Sequence, residues 1–422
     1  MYVSSDLAPR PFSLPPEFQL GVATSATQIE GGELQHSWTR HAEHGHIKDN
    51  STPVRACDHW NRVKQDTGLL RELGVNSYRL GIEWARVQPE RGRFDEQALA
   101  RYRDEIQLLV DSGILPMVTL HHFTNPLWFE DAGGFTAKDA PDTFAAYVEA
   151  VVKAVGDLVP QWITINEPNV YLVNGYLFGI WPPAKNSMRE LRKAARGLTV
   201  ASQLAAEVIR SGRSAEGFRN AEIGVAHHLR VFEPLPGRLS ALTCRRVERE
   251  FQERFVDSMS EGMDFLGVNY YTRERIGFSA RPGEGFIRRA ESENGARTDL
   301  GWEIYPTGLS TLLRRYAKRT SLPVIITENG AADAGDHFRA RFIYDHLREL
   351  HLLMEEGMQI GGYFHWTLMD NFEWLEGESA RFGLYECNFE TQQRRIRASG
   401  EFFQDLCAAG GVTHEMISRY LF

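Results

Sequence analysis

Short runs rich in β-branched and aromatic residues recur along the chain, each followed by a longer stretch of helical period. Eight such runs predict strands: FQLGVAT from Phe18, NSYRLGI from Asn76, LPMVTLHH from Leu115, QWITINE from Gln161, EIGVAHH from Glu222, DFLGVNYY from Asp264, PVIITEN from Pro323 and GGYFHWTL from Gly361. Between the third and fourth, Phe144, Tyr147, Val148, Val151, Val152 and Val155 step by three and four residues, as one buried helix face requires. Ile343, Leu347, Leu350 and Met354 repeat the pattern before the eighth run. Gly74, Gly113, Gly262 and Gly357 stand where helices would end in a left-handed cap just before a strand. Eight strand-helix repeats with room for a right-handed crossover each time predict an α/β fold, a single (β/α)8 TIM barrel. A doubly wound open sheet fits less well, because no G-x-G-x-x-G follows the first run and no G-x-x-x-x-G-K-[ST] occurs.

Length and composition narrow the class. A chain of 422 residues, 42% hydrophobic and 24% charged, can bury a large core, and no linker divides it. The expectation is one catalytic domain over 1–422, with an N-terminal extension at 1–17 and a C-terminal tail at 404–422. The net charge of −9 disfavours nucleic acid as a partner. Four scattered cysteines without C-x-x-C spacing suggest neither a disulfide framework nor a zinc ribbon. With no secretory signal and no stretch of 18 apolar residues, the expectation is a cytoplasmic protein that does not engage a membrane. The composition says nothing about oligomeric state.

A barrel of this kind builds its site at the carboxyl ends of the strands, so the polar residues closing each run belong together. They are Gln28 and Glu30, Arg79, His121 and His122, Asn166 and Glu167, then Asn269 with Tyr270 and Tyr271, Glu328 and Asn329, and finally Trp366 with Glu373 and Trp374. Two carboxyls among amides, imidazoles and aromatics suit a polyhydroxylated, uncharged ligand such as a sugar. Cleaving an acetal takes one acid to protonate the leaving oxygen and one carboxylate to meet the oxocarbenium charge. At about 5 to 5.5 Å apart, the second attacks directly and configuration is retained. Arg79 interrupts an apolar strand, where an unpaired cation would be costly, so a carboxylate partner is expected for it. His41, His44 and His46 lie in a segment read as a loop without an H-E-x-x-H pattern, and no metal is expected. Arg189, Arg192, Lys193 and Arg196 read as a solvated helix face.

TINEPNV at 164–170, VIITENG at 324–330, YFHWTLMDNFEW at 363–374 and GVATSATQIEGG at 21–32 resemble glycoside hydrolase family 1, the β-glucosidase and β-galactosidase family, over nearly the whole chain. The resemblance implies a retaining, exo-acting β-glycosidase that needs no cofactor and acts on a β-linked glucoside or related small glycoside, with possible galactosidase or fucosidase activity. It implies Glu167 as general acid and base, Glu328 as nucleophile, and Arg79 and Tyr271 in contact with Glu328, with Asn269 in support. Arg79 is expected to keep Glu328 ionised, and an apolar, anionic setting to raise Glu167. Sugar contacts carried over from the family fall on Gln28, His122, Asn166, Glu373 and Trp374, with Trp366 as a stacking floor and a cis Trp366–Thr367 peptide. Glu373, Ala380 and Phe382 stand where relatives acting on 6-phosphorylated sugars carry Ser, Lys and Tyr, which disfavours a phosphosugar. Phe123 replaces the usual Trp after His122. The short connection after Glu328-Asn329-Gly330 suggests an open leaving-group side tolerant of varied aglycones. The same residues would serve a transglycosylating enzyme; a catalytically idle sugar-binding homologue is the other alternative, but such proteins usually lose one of the two carboxylates, and this chain keeps both.

Overall fold

The structure, a computed structural model, describes residues 8–218, 220–281, 287–291 and 295–422. Residues 1–7 of the expected N-terminal extension lie outside the described residues. All eight anticipated runs are strands: β1 (Gln19–Ala23), β2 (Ser77–Gly81), β3 (Leu115–Thr119), β4 (Gln161–Asn166), β5 (Glu222–Pro234), β6 (Phe265–Phe278), β7 (Val324–Asn329) and β8 (Ile360–Trp366). Neighbours pair in parallel from β1 through β8, and β8 returns to β1, pairing Phe364 with Gly21 and Trp366 with Ala23. The sheet is therefore a closed (β/α)8 barrel.

Helices α1 (His59–Leu73), α2 (Glu96–Asp111), α3 (Ala140–Val155), α4 (Met188–Ala215), α5 (Arg238–Glu248), α6 (Pro306–Thr320), α7 (Arg339–Glu355) and α8 (Ala398–Ala409) follow the strands in turn. The periodic positions of α3, Phe144 through Val155, are buried as the spacing requires. In α7, Ile343, Leu347 and Leu350 are buried and Met354 is partly buried against the core. Gly74, Gly113, Gly262 and Gly357 all adopt positive φ, the conformation that ends a helix with least steric cost in glycine. The expected tail boundary at 404 is corrected: it falls inside α8, which packs on α1 and α7. Past that helix, Gly411–Val412 pairs with Phe12–Ser13 and ties the two ends of the described chain together.

Strands β5 and β6 continue well past the barrel rim, to Pro234 and Phe278, and a short strand Ile287–Ala290 adds to β6. Inside the barrel, Met117, Ile163, Phe265, Ile325 and Phe364 form an apolar cluster. Toward the carboxyl ends the interior becomes polar, with Arg79, Asn166, Asn269, Glu328 and Glu167 all buried. Register irregularities occur at this end, between Ile163 and Asn166 in β4, Val268 and Asn269 in β6, and Tyr363 and His365 in β8. Such bulges break strict alternation and let consecutive residues face a common site.

Candidate functional site

Glu167 terminates β4 and caps a short helix, Pro168–Leu172, at φ 42°, a left-handed conformation uncommon outside glycine. Pro168 suits the first helical position, where no N–H bond is needed. Phe123 and Trp374, also at the barrel mouth, share positive φ, at 69° and 49°. Each of these three residues around the opening costs about 1 to 2 kcal/mol of backbone strain. The glycine of Thr-Glu-Asn-Gly has a local reason as well: a Cβ on Gly330 would lie 2.0 Å from the Trp366 carbonyl oxygen. The Trp366–Thr367 peptide is cis.

A continuous hydrogen-bond network joins the two carboxyls. Arg79 Nη1 donates to Glu328 Oε1 at 2.6 Å, and the Tyr271 hydroxyl donates to Glu328 Oε2 at 2.6 Å. Arg79 Nη2 donates to Asn166 Oδ1 at 2.6 Å. Because a guanidinium can only donate, Asn166 must turn its oxygen to Arg79 and its amide nitrogen to His122 Nε2, 2.9 Å away. Asn269 is oriented in the same way: its oxygen accepts from Thr327 Oγ1 at 2.6 Å, and its nitrogen donates to Asn166 Oδ1 at 3.0 Å and to Glu167 Oε1 at 2.8 Å. Strands β2, β4, β6 and β7 thus converge on one cluster.

The remaining expected residues form the adjoining wall. Gln28 Nε2 donates to Glu373 Oε2 at 3.1 Å and to the Phe372 carbonyl at 2.9 Å. His122 lies 5.9 Å from the Trp366 ring and stacks on Trp374 at 5.8 Å and 25°. Phe123, in place of an indole donor, packs on Trp374 and Trp181 at 5.2 and 4.9 Å. His121 is structural, bonded to Asn125 at 3.0 Å and set edge-on to Tyr171. His41 lies on a helix, Ser37–Glu43, rather than in a loop, and stacks near His46. Among the described residues no group of three or more His, Cys, Asp or Glu side chains could hold a metal. Arg189, Arg192, Lys193 and Arg196 are exposed on α4.

Residues missing from the sequence-based set come from β5. His228 Nδ1 is 3.1 Å from Glu167 Oε1, and its ring stacks on Tyr271 at 5.8 Å and 17°. Arg230 Nε and Nη2 approach His228 Nε2 at 3.2 and 2.7 Å. Arginine holds its protons throughout the accessible pH range, so Nε2 must be the acceptor and Nδ1 the protonated nitrogen that donates to Glu167. The only signal in the sequence was a pair of histidines ending the fifth run, whose second member faces the mouth.

Burial drives Glu328 up to about 7; Arg79 pulls against burial, and the charge of Glu167 adds to it. For Glu167, burial is outweighed by the charge and hydrogen bond of His228, together with Asn269 and Arg230, which hold it below the ordinary glutamate value. Taken singly, these directions run opposite to the expected ionised Glu328 and raised Glu167, but the two carboxyls are coupled. The charge part of the His228 effect needs an imidazolium, yet burial and Arg230 hold His228 itself below 6.5 in spite of Glu167. At neutral pH the imidazole therefore supplies a hydrogen bond without a charge. Both oxygens of Glu328 accept strong bonds, one from a permanent cation, whereas Glu167 is engaged by the protein through Oε1. A proton shared by the pair is thus best placed on Glu167 Oε2, and the two groups titrate as a unit.

The His228→Leu variant should remove one donor from Glu167 Oε1. A donor favours the ionised carboxylate, so its loss raises the pKa of Glu167 and extends the protonated form upward. The alkaline limb of the kcat/KM profile is expected to move up by about one pH unit. An unmoved limb would show that the bond does not govern this proton.

Comparison with known proteins adds an independent observation. The model of the family described as glycosyl hydrolase family 1 matches residues 11–262 and 236–412. Beta-glucosidase A of Acetivibrio thermocellus is 32% identical over 94% of this chain and 99% of its own length. Among solved structures, a beta-glycosidase from Pyrococcus horikoshii superposes with a TM-score of 0.91 at 33% identity, covering 98% of this chain and 99% of that one. A beta-glucosidase from Thermotoga maritima in complex with deoxynojirimycin has a TM-score of 0.88 at 30% identity, covering 95% and 100%.

Proposed function

Since the chain belongs to glycosyl hydrolase family 1 and is a retaining β-glycosidase, we propose that it releases β-linked glucose from small glucosides, with Glu328 as nucleophile and Glu167 as acid and base. The whole chain serves as one catalytic unit, and the scattered free cysteines suit a reducing, cytoplasmic setting. The observation that carries the assignment is the bonded chain from Glu328 through Arg79, Asn166 and Asn269 to Glu167 at the barrel mouth. In the first step Glu328 attacks the anomeric carbon while Glu167 protonates the departing oxygen. In the second, Glu167 takes a proton from water, which displaces Glu328 and restores the β configuration. The Asn166 amide, locked by Arg79, is set to donate to the 2-hydroxyl, a bond that strengthens as the ring flattens.

Gln28, His122, Glu373 and Trp374 hold the remaining hydroxyls above Trp366. Burial, reinforced by Glu328, raises Glu373 to about 8, with Trp366 and Gln28 pulling it back. The groups bonded to it are neutral, and Ala380 and Phe382 belong to an apolar cluster, so among the described residues these positions offer a 6-phosphate no cation. A panel of nitrophenyl β-glycosides tests the reading. Glucoside should be cleaved best, fucoside and galactoside more slowly and 6-phosphoglucoside not measurably, and proton NMR should show the β anomer formed first. First formation of the α anomer, or no turnover of any member, would overturn it.

A further inference from the structure

A cavity of about 390 Å3 opens beside the proposed acid and base. His228 and Tyr271, which touch Glu167 and Glu328, belong to its wall, whereas Gln28, His122, Glu373 and Trp374 do not. It is thus contiguous with the reacting centre yet separate from the glucose wall. Its charge is unusual for a place that would receive a neutral sugar. Among the described residues its lining carries Arg230, Arg273, Arg275, Arg289 and Arg297 against Glu274, Glu291 and Glu303.

Pairing accounts for only part of this excess. Arg273 is matched by Glu303 at 2.8 Å, and Glu233 reaches Arg273 and Arg275 from outside the lining at 2.8 and 3.7 Å. Arg297 meets Glu291 at 3.3 Å. Arg230 and Arg289 share a single carboxylate, Glu274, from which Arg289 stands 3.3 Å away while its side chain remains 63% exposed. Arg230 spends its other donors on the neutral His228 ring. Among the described residues this lining therefore carries one more positive charge than the carboxylates that meet it. Trp302, half-buried and edge-on to Tyr271 at 5.6 Å, adds an aromatic surface.

We propose that this cavity is the leaving-group subsite and that it selects aglycones bearing an anionic substituent, such as a carboxylate on an aromatic ring. The proposal rests on the assignment of Glu167 and Glu328. Glucose itself stays uncharged in its own pocket, and the anion is read on the other side of the scissile bond. The breadth expected from the short connection after Gly330 becomes a preference set by charge.

The test compares kcat/KM for 3-carboxyphenyl and 3-carbamoylphenyl β-glucosides, which differ in charge but hardly in shape. Taking the carboxylate-to-amide ratio in the wild type and again in Arg289→Glu cancels the intrinsic reactivity of the two phenols. The ratio is expected to fall on the order of three- to ten-fold in the variant, and to fall in the wild type as sodium chloride is raised. If both glucosides are hydrolysed but the ratio responds neither to the variant nor to salt, the anion preference is wrong and the catalytic assignment stands. If the wild type hydrolyses neither, the catalytic assignment fails and the subsite fails with it.

Discussion

Glu328→Ala is expected to lower kcat on an aryl β-glucoside on the order of 10^4- to 10^6-fold, the scale of losing a nucleophile. The loss is that large because neither Glu167 nor Tyr271, which share its network, can take over the attack. Glu167 lies beyond Asn269 on the leaving-group side, and the Tyr271 hydroxyl, its pKa pushed well above 10 by burial and Glu328, stays protonated. The vacated space should admit a small anion. Arg79, still held by Thr119, the Thr327 carbonyl and Asn166, would present its charge to that anion much as it does to Glu328. Azide is therefore expected to restore turnover of an activated glucoside and to yield the α-glucosyl azide, an inverted product from a retaining enzyme. Initial rates with and without azide, with NMR of the product, check both parts. Ordinary turnover by the variant would remove Glu328 from the mechanism.

The second large effect is selective. Glu167→Ala should cost about 10^2- to 10^4-fold on glucosides whose leaving groups need a proton, and far less on dinitrophenyl glucoside, which departs unaided. Its second step, slowed by loss of the base, should let the glycosyl-enzyme accumulate, giving a burst of dinitrophenol and a reduced KM. Azide added to this variant is expected to give the β-glucosyl azide, since it then attacks the covalent intermediate. The two variants thus produce azides of opposite configuration, a contrast that exchanging the roles of Glu167 and Glu328 would reverse. A uniform loss across leaving groups would mean that Glu167 is structural. With Asn269 and His228 both donating to its Oε1, a structural role is the reading that this measurement must exclude.

Much of the site was legible because barrel geometry converts position along a strand into position at the mouth. Once β4 and β7 are strands of a parallel barrel, Glu167 just past the end of one and Glu328 near the end of the other must emerge on one rim. The pairing of Arg79 was accessible by the same logic, since a guanidinium in an apolar strand needs a buried acceptor. His228 escaped notice because nothing in EIGVAHH says which histidine faces inward when β5 and β6 run on past the rim. Arg230 and Glu274 lie on those overhanging stretches, where the strand pattern carries no information about the site.

Local pattern by itself determined the eight strands, the helices between them and the two carboxyls at their ends, because periodicity and strand termini are written in neighbouring residues. Only the folded molecule decided the charge of each carboxyl and the tilt of each amide. Those depend on Arg79, Asn269, His228 and Tyr271 meeting across sequence separations of 57 to 249 residues. Burial and hydrogen bonding act through space, and at such separations the order of residues along the chain does not specify which groups will share it.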